Sequence, residues 1–296
     1  MTGEPLHSGF VALIGPTNSG KSTLLNRLVG EKIAIVSSKP QTTRSRILGI
    51  LNRPEGQIVF VDTPGLHTPK HLLGKALIQR ANQEASGADL ILYMLDTTKE
   101  LRDTEPVLAP ELTRLSQKKI LLLNKVDKVS KPALLPLIER YSNLGYFEHI
   151  FPISAIKDKD FESLLKVITS ALPESPALYG PDQVTDQSPQ FRVTEIIREK
   201  VLACTHEEVP HSVAVEIEGW NQAEELLEIQ ALIHVERDSQ KGILIGKDGR
   251  VLKRVGTEAR RDIEALLGNK VFLQLWVKVL ENWRKNPSAL RRMGYS

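Results

Sequence analysis

The sequence predicts an α/β protein in which a doubly wound sheet is followed by a smaller α+β domain. Over residues 1–172, apolar runs alternate with segments of helical periodicity, as a sheet covered by helices on both faces requires. Residues 172–189 contain four prolines, which is typical of an extended linker. From residue 191 the pattern changes to a helix, two strands, two helices and a strand. We therefore expect domains at 1–172 and 191–296, with a semi-rigid linker at 173–190 that lets the two cores move.

The composition is that of a globular protein, with 41% hydrophobic and 25% charged residues in a chain of 296. It contains no run of about 18 apolar residues, so we expect no transmembrane helix. Residues 1–8 are polar, so we expect no secretory signal. The single cysteine, Cys204, cannot form an intrachain disulfide, which favours a cytoplasmic protein. Cys204 and the nearby His206 have no further metal-ligating neighbours, and we interpret them as structural.

The strands of the first domain are predicted from six apolar runs, several of them continuous, as in parallel strands buried on both faces. These runs lie at 10–14, 47–51, 57–61, 90–95, 120–123 and 150–153. Helices are predicted at 21–29, 71–86, 104–117, 131–144 and 159–171. Sheets of this kind bind ligands beyond the carboxyl ends of their strands. The loops that follow the strands should therefore hold the chemistry.

The loop after the first strand fits the phosphate-binding pattern G-x-x-x-x-G-K-[ST], between an apolar strand and a helix. Its glycines let backbone N–H groups converge on phosphate oxygens, which the helix N-terminus also attracts. We expect Lys21 to reach the β- and γ-phosphates and the Ser22 hydroxyl to ligate Mg²⁺. The predicted phosphate-binding residues are Gly15, Pro16, Thr17, Asn18, Ser19, Gly20, Lys21, Ser22 and Thr23.

The loop after the third strand supplies the next predicted contacts to a triphosphate. The Asp62 carboxylate can hold Mg²⁺ through water, and the Gly65 N–H can meet a γ-phosphate. The residues of this motif are Asp62, Thr63, Pro64 and Gly65.

The loops after the fifth and sixth strands predict a guanine site. Guanine presents an N1–H and an N2 amine, two donors that the Asp127 carboxylate accepts side by side, whereas adenine offers no such pair. Asn124 can bond the base edge and neighbouring loops, and the Lys125 stem can cover the base. A backbone N–H of Ser154, Ala155 or Ile156 can meet guanine O6. Because all four motifs occur in order at predicted strand ends, we expect GTP and GDP as ligands.

A polar segment at 37–46 is predicted to be a loop, since it contains Pro40 and a cluster of hydroxyl residues. A threonine in such a loop can ligate Mg²⁺ only when a γ-phosphate is present, which orders the loop. We favour Thr43 for the metal, with Thr42 as the alternative. The candidate residues are Gln41, Thr42, Thr43 and Arg44; the competing interpretation is a plain surface loop.

Leu66 follows the Asp62–Gly65 motif, and an alkyl side chain cannot orient an attacking water. Hydrolysis should therefore be slow and should use the substrate phosphate, a cation or a group from a partner. Asn18 can help to hold a monovalent cation such as K⁺ near the β/γ bridge. The alternative interpretation, that Asn18 forms a turn, has equal support.

The second domain has an α-β-β-α-α-β order, with a Gly-x-x-Gly loop between its fourth and fifth elements. This loop is the signature of a KH domain, in which the glycines let a nucleic-acid backbone approach. Lys247 and Arg250 can bind its phosphates, and Ile243 and Ile245 can line a groove for bases. The RNA-binding candidates are Ile243, Ile245, Gly246, Lys247, Asp248, Gly249, Arg250 and Lys253. A structural turn and a protein-binding face are the alternatives, and we expect Trp276 and Trp283 in the core.

The charge distribution supports an RNA ligand. Residues 191–236 carry a net charge of −7 and residues 237–296 a net charge of +8. A basic segment of this kind is typical of a surface that binds a polyanion, although two solvated faces of an ordinary domain would give the same count.

These motifs together resemble the Era family of bacterial GTPases over nearly the whole chain. The resemblance rests on the phosphate and guanine motifs, the loop 41–44, the Pro-rich stretch with 181–186, and the C-terminal Gly-x-x-Gly domain. The chain departs from the family within the first motif, where Pro-Thr-Asn-Ser replaces the usual Arg-Pro-Asn-Val. The resemblance implies a P-loop GTPase domain, a type II KH domain that binds the 3′ end of 16S ribosomal RNA, and action in assembly of the 30S subunit. It also implies partial association with the inner face of the cell membrane.

Three hypotheses follow. The first is a GTPase switch that changes how RNA is bound. The second is a slow nucleotide scaffold whose function is to tether RNA, which Leu66 makes plausible. The third is a membrane-surface GTPase that uses the basic C-terminus. Nothing in the sequence demands an oligomer, so we expect a monomer.

Overall fold

The computed structural model describes residues 6–39, 41–66, 69, 71–101, 110–223 and 226–295. The chain divides into two compact units. The first unit contains Met1–Ala34, Thr43–Thr68 and Leu77–Asp186, and the second contains Ile35–Thr42, Pro69–Ala76 and Gln187–Ser296. The division between the units therefore falls between Thr42 and Thr43, inside the polar loop.

The described part of the first unit holds one six-stranded sheet in the order β2-β3-β1-β4-β5-β6. Its strands are β1 His7–Ile14, β2 Ile47–Arg53, β3 Gly56–Asp62, β4 Leu90–Asp96, β5 Lys118–Asn124 and β6 His149–Ile153. The edge strand β2 runs antiparallel to β3, and the other pairs are parallel. Strands β3 and β4 are buried at every position, which explains the continuous apolar runs 58–61 and 90–95 within them. All six predicted strands are confirmed, each of them one to three residues longer than predicted.

Helices connect these strands as the periodicity predicts. They are α1 Lys21–Val29, α2 Leu72–Gly87, α3 Thr97–Glu100, α4 Pro110–Arg114, α5 Lys131–Ser142 and α6 Glu162–Ala171. The predicted helix at 104–117 is observed only as α4, and residues 102–109 lie outside the described part of the chain. The carboxyl ends of β1, β3, β4, β5 and β6 point to one edge of the sheet, because these strands are parallel. The five loops that leave this edge can therefore share one ligand.

The Pro-rich stretch predicted as a linker lies on the first unit up to Asp186. Its backbone is held by hydrogen bonds from the edge strand: the Ile50 N–H donates to the Val184 carbonyl at 2.9 Å, and the Asn52 amide donates to the Pro181 carbonyl at 2.7 Å. The buried Gln57 side chain accepts from the Leu178 and Tyr179 N–H groups. Residues 178–184 thus lie against the edge of the sheet, in a position that an extended, proline-containing segment can occupy.

The second unit contains a three-stranded sheet in the order β7-β8-β9. The strands are β7 Ala214–Gln222, β8 Leu226–Val235 and β9 Lys270–Val279, with β7 antiparallel and β9 parallel to β8. The helices are α7 Pro189–Cys204, α8 Val209–Ser212, α9 Asp238–Ile245, α10 Arg250–Leu267 and α11 Pro287–Arg292. Apolar residues of α7, α9 and α10 pack with one face of the sheet into a single core.

Two expectations for this unit were wrong. The alternation of apolar and polar residues over 211–218 predicts a strand that starts at 211. The strand begins at Ala214 instead, because Pro210 at the first turn lets Val209–Ser212 form a short helix. Trp276 is 42% exposed, because it lies on the sheet face opposite the core helices, whereas Trp283 is fully buried as expected. Trp283 begins the 3₁₀ turn Trp283–Lys285. No helix in the described ranges is long and apolar enough to cross a membrane.

Candidate functional site

The phosphate-binding loop lies between β1 and α1, and its glycines are required by the loop's geometry. Gly15 has a φ of +148°, and a Cβ there would lie 2.2 Å from the Met94 carbonyl oxygen. Gly20 has a φ of +109°, and a Cβ there would lie 2.2 Å from the Asn124 amide nitrogen. Any larger residue would therefore collide with the ends of β4 and β5. Helix α1 starts at Lys21, so its free N–H groups face the loop.

Lys21 is buried within this loop and bonds to the loop itself. Its Nζ donates to the carbonyl oxygens of Gly15 and Pro16, both at 3.0 Å. Burial lowers the pKa of the Lys21 ammonium to about 8, although the Asp62 carboxylate opposes the shift. A phosphate group in the loop would compensate this burial, because it brings negative charge to the ammonium.

Three predicted metal ligands come together beside Lys21. The Ser22 hydroxyl donates to Asp62 Oδ2 at 2.6 Å, and the Thr43 hydroxyl lies 2.9 Å from Ser22 Oγ and 3.2 Å from Asp62 Oδ2. The second carboxylate oxygen, Asp62 Oδ1, is buried and has no hydrogen-bond partner in the described structure. Burial raises the pKa of Asp62, against the attraction of Lys21. Two hydroxyls and a buried carboxylate are hard oxygen ligands, so this cluster fits Mg²⁺.

The two candidate threonines of the polar loop differ in their partners. Thr42 belongs to the second unit, where its hydroxyl donates to the Lys39 carbonyl at 2.7 Å and its own carbonyl accepts from the buried Arg198 at 2.5 Å. Glu199 of the same helix accepts from the Val36 N–H at 3.1 Å. Because the Thr42 hydroxyl is used within its own unit, the geometry favours Thr43 as the metal ligand.

The guanine motifs lie at the ends of β5 and β6. Asn124 is buried, and its amide joins two loops: it donates to the Ser19 carbonyl at 2.7 Å and accepts from the Ala155 N–H at 2.9 Å. Asn124 therefore holds these two loops together, and we do not expect it to contact the base. Asp127 is exposed, and one of its oxygens accepts from the Ser154 hydroxyl at 2.6 Å. That bond orients the Asp127 carboxylate.

Lys125 links the guanine loop to the phosphate loop, and it also contacts Asp96, a residue that the motifs do not predict. Lys125 has a left-handed φ of +68°, and its Nζ donates to the Asn18 carbonyl at 2.8 Å and to Asp96 Oδ2 at 2.6 Å. Asp96 is the last residue of β4 and is nearly buried. The available signal was a carboxylate at the end of a predicted strand, the same position that singled out Asp62.

The loop after β3 packs closely on the phosphate-binding loop. A Cβ at Gly65 would lie 2.8 Å from Thr17 Cα, and the Leu66 N–H donates to the Gly15 carbonyl at 3.0 Å. The Thr63 hydroxyl donates to the Leu13 carbonyl at 2.8 Å. Leu66 is partly buried and packs against an apolar cluster, so its side chain contributes packing here. The other predicted residues lie around this edge: Thr23 on α1, Arg44 buried after Thr43, and Ile156 exposed after Ala155.

The Gly-x-x-Gly loop joins α9 to α10 in the second unit. Gly246, Asp248 and Gly249 have φ values of +73°, +55° and +72°, so three of its four residues lie outside the ordinary range for L-residues. Lys247 and Asp248 are exposed, and Asp248 lies 3.6 Å from the Arg250 guanidinium. This loop therefore presents its backbone and the exposed Lys247 at the N-terminus of α10, an arrangement that suits a phosphate.

A cleft of about 440 Å³ opens beside this loop, between α10 and β9. Of the predicted RNA-binding residues, Gly249 and Lys253 line it. Ile245 packs into the core and the half-exposed Ile243 is not among the lining residues. Arg260, one of the basic residues that the sequence places on the helix after this loop, lines it as well. The residues that the sequence did not predict are Leu252, Gly256, Thr257, Phe272, Leu273 and Leu275. The sequence signal for this cleft was the basic segment 237–296, and the contribution of β9 depends on the tertiary fold.

Comparison with known proteins identifies both units. A family model described as a 50S ribosome-binding GTPase matches residues 10–125, and a KH domain model matches residues 208–284. The chain is 48% identical to GTPase Era of Lacticaseibacillus paracasei over 98% of this chain and 97% of that protein. It is 46% identical to GTPase Era of Heliobacterium modesticaldum over 99% and 98% of the two chains.

Two solved structures are similar over 98% of this chain, each with a TM-score of 0.92 and 39% identity. One is Era in complex with MgGDPNP and nucleotides 1506–1542 of 16S ribosomal RNA, of which 99% is covered. The other is a variant of Aquifex aeolicus Era bound to GDP.AlF4⁻, of which 100% is covered.

Proposed function

This chain belongs to the Era family of GTPases, and from that membership we propose that it is an RNA-coupled GTPase that acts in assembly of the small ribosomal subunit. It binds and hydrolyses GTP with Mg²⁺ and binds 16S ribosomal RNA. The observation that carries the proposal is that one chain holds both a phosphate loop with an oxygen-ligand cluster and a Gly-x-x-Gly cleft. A similar Era structure contains a GTP analogue and 16S RNA together.

We assign the nucleotide-binding roles from the geometry. The loop 15–23 cradles the phosphates, Lys21 neutralises the β- and γ-phosphates, and Ser22, Thr43 and Asp62 hold Mg²⁺. Mg²⁺ held by these residues would supply positive charge that offsets the negative charge developing as the γ-phosphate leaves. Thr43 ligates the metal only when a γ-phosphate is present, which orders its loop. The described residues of this loop, between α1 and β2, form no helix or strand. Asp127, oriented by Ser154, reads the guanine base, and Asn124 and Lys125 hold the loops in register.

The Leu66 side chain cannot activate the attacking water. A bound monovalent cation can instead supply positive charge near the β/γ bridge. Asn18 has a left-handed φ of +63° at the tip of the loop, and Lys125 holds its carbonyl. We expect GTP turnover to rise severalfold when K⁺ replaces Na⁺ at constant ionic strength, measured as phosphate release. Equal turnover in the two salts would exclude a K⁺ site at Asn18.

The Gly-x-x-Gly loop is expected to contribute to RNA affinity without affecting nucleotide binding. Replacing Lys247 and Asp248 together by alanine should weaken binding of a 37-nucleotide RNA, equivalent to 1506–1542 of 16S RNA, by tenfold or more. The reason is loss of the phosphate-facing cation and of the loop's left-handed residue. Binding is measured by fluorescence anisotropy with GDPNP and Mg²⁺, and GTP affinity serves as the control. Unchanged RNA affinity would demote the loop to a structural turn.

The partly buried Leu66 favours a second candidate, a slow nucleotide scaffold that tethers RNA. The same RNA separates the two functions. Stimulated turnover by the wild-type chain supports the coupled GTPase, whereas no stimulation together with equal RNA affinity in GDP and GDPNP supports the tether.

We further propose that the protein acts as a monomer in the cytoplasm on the 30S subunit. The single cysteine and the absence of any sequence feature that demands an oligomer support this assignment. Peripheral association with the membrane is the weaker hypothesis, since it rests on the family resemblance and a basic C-terminus that RNA explains as well.

A further inference from the structure

Asp96 is a buried carboxylate at the edge of the sheet where the nucleotide loops lie, and none of the nucleotide motifs contains it. It is the last residue of β4 and pairs in register with Asn124, the last residue of β5. Its side chain is only 7% exposed. A carboxylate removed from water in this way costs free energy unless another group compensates its charge. The partners of Asp96 therefore indicate its function.

The two carboxylate oxygens of Asp96 have different partners. Oδ1 accepts from the Thr98 N–H at 3.1 Å and from the Thr98 hydroxyl at 2.6 Å, which caps the short helix α3. Oδ2 accepts from the Lys125 ammonium at 2.6 Å. Capping a helix uses one oxygen and does not require a charge, since asparagine caps helices equally well. The charge of Asp96 is therefore matched to Lys125 and not to α3.

Lys125 is held at both ends of its side chain. Its backbone has a left-handed φ of +68°, and the Thr97 hydroxyl donates to the preceding Asn124 carbonyl at 2.8 Å. The Lys125 ammonium donates to Asp96 and to the Asn18 carbonyl, the latter at 2.8 Å. A lysine side chain loses much rotamer entropy when it is ordered. Because protein groups fix both ends, the course of the four-carbon stem is set by the protein itself.

We propose that Asp96 is a positioning residue of the guanine site, which holds the Lys125 stem where it covers the face of the base. This inference rests on the proposed function, in which Asp127 reads the base edge. The face of a purine ring is apolar and similar in all purines, whereas the edge differs between them. Asp96 therefore contributes affinity that purine nucleotides share, and the choice among them depends on Asp127.

Asp96→Asn is expected to weaken binding of GDP and of IDP by the same factor, about tenfold, because the lysine stem is no longer ordered. Asparagine keeps the cap on α3 but presents no negative charge to the Lys125 ammonium. IDP lacks the N2 amine of guanine, so an equal loss shows that the base face is affected and not its edge. Competition against a fluorescent GDP analogue with Mg²⁺ measures both affinities on the full chain.

The same variant should separate KM from kcat. Asp96 contacts neither Lys21 nor the predicted metal ligands in the described structure, so turnover at saturating GTP should stay within about twofold of wild type. KM for GTP should rise about tenfold, because the lost interaction with the base is the same in the ground state and the transition state. A fall in kcat as large as the rise in KM would contradict positioning of the base.

Lys125→Met distinguishes positioning from a structural role of Asp96. Methionine keeps an unbranched apolar stem and removes the ammonium that Asp96 holds. This variant should bind GDP about tenfold more weakly, and adding Asp96→Asn to it should cause no further loss, because both substitutions remove one interaction. If Asp96 served only to cap α3, Asp96→Asn would cause the same loss of affinity in both backgrounds.

Thr98→Ala is the matched control. It removes the hydroxyl that donates to Oδ1 of Asp96 and leaves the pair of Oδ2 with Lys125 intact. GDP affinity should stay within about twofold of wild type, because the lysine stem keeps both of its attachments. If Thr98→Ala loses GDP affinity as much as Asp96→Asn, the stability of α3 explains the effect and the inference is overturned.

The outcomes separate this inference from the proposed function. If the wild-type chain binds GDP and Asp96→Asn binds it equally tightly, or loses affinity for GDP but not for IDP, the inference is wrong and the proposed function stands. If the wild-type chain does not bind GDP, the proposed function fails. Melting temperatures without nucleotide show whether each variant is folded. If Asp96→Asn is unfolded, Lys125→Met decides alone, and wild-type GDP affinity in that variant would overturn the inference.

Discussion

Replacing Lys21 by alanine is expected to reduce GTP turnover by at least about a hundredfold and to weaken binding of GTP. The Lys21 ammonium is the charge that the loop directs at the β- and γ-phosphates, and loss of one such preorganised group typically costs two to three orders of magnitude in rate. The effect should be greater on turnover than on GDP affinity, because negative charge on the γ-phosphate group and the leaving oxygen is redistributed in the transition state. Single-turnover phosphate release at saturating GTP measures it.

The control for this variant must separate chemistry from stability. Lys21 Nζ also bonds the Gly15 and Pro16 carbonyls, so the variant loses two hydrogen bonds inside the loop. Lys166→Ala removes an exposed lysine from α6 of the same unit and should keep wild-type turnover. Melting temperatures with and without GDP show whether Lys21→Ala is folded. A folded Lys21→Ala variant with normal turnover would exclude this loop as the hydrolytic site.

Replacing Asp127 by asparagine should shift preference from guanine to xanthine nucleotides. Asp127 offers two acceptors to the N1–H and N2 amine of guanine, and asparagine offers one acceptor and one donor. Xanthine has a carbonyl where guanine has the N2 amine, so the new pair matches it. Hydrogen bonds to a charged group contribute roughly 1.5–3 kcal/mol each, so GTP affinity should fall at least about a hundredfold. Competition of GTP and XTP for a fluorescent nucleotide measures both changes.

The hydrogen bond from the Ser154 hydroxyl can be kept in the Asp127→Asn variant. It donates to Asp127 Oδ1 at 2.6 Å, and an asparagine carbonyl oxygen can accept the same bond. Asp160→Asn is the matched control, because Asp160 accepts from the Glu162 N–H at the start of α6, a role that asparagine also fills. That control should keep GTP selectivity. An Asp127→Asn variant that still prefers GTP over XTP would show that another group reads the base.

Much of the first unit could be predicted because its signals are local. A strand buried on both faces is apolar without interruption, and five of the six strands have a parallel neighbour, so the runs stand out in the sequence. The edge strand β2 was also found, but its antiparallel direction depends on the short turn to Gly56 and not on its own residues. Phosphate motifs are equally local, since Gly15 and Gly20 are needed by the conformation of one short loop.

The sequence favours Thr43 for the metal but leaves Thr42 as an alternative, and the contacts that distinguish the two threonines could not be predicted. Both are hydroxyl residues in one loop, and they differ only in their partners: Thr43 meets Ser22 and Asp62, whereas Thr42 meets Lys39 and Arg198. The sequence separation between each threonine and its partners follows no fixed spacing, so the sequence does not show which threonine contacts Asp62. The same reason hid Asp96, whose function depends on Lys125 reaching it across the end of the sheet.

By itself, the sequence determined the fold class, the two motif-bearing regions, the phosphate loop and the residue that we propose reads guanine. These depend on periodicity and on motifs of a few consecutive residues, because backbone geometry constrains them locally. Only the tertiary structure decided which threonine faces Asp62, how the Pro-rich stretch lies along β2, and what the RNA cleft contains. The cleft joins residues of α10 to residues of β9, which are separated in the chain. Contacts between elements that are distant in the chain depend on packing, and a linear pattern does not record them.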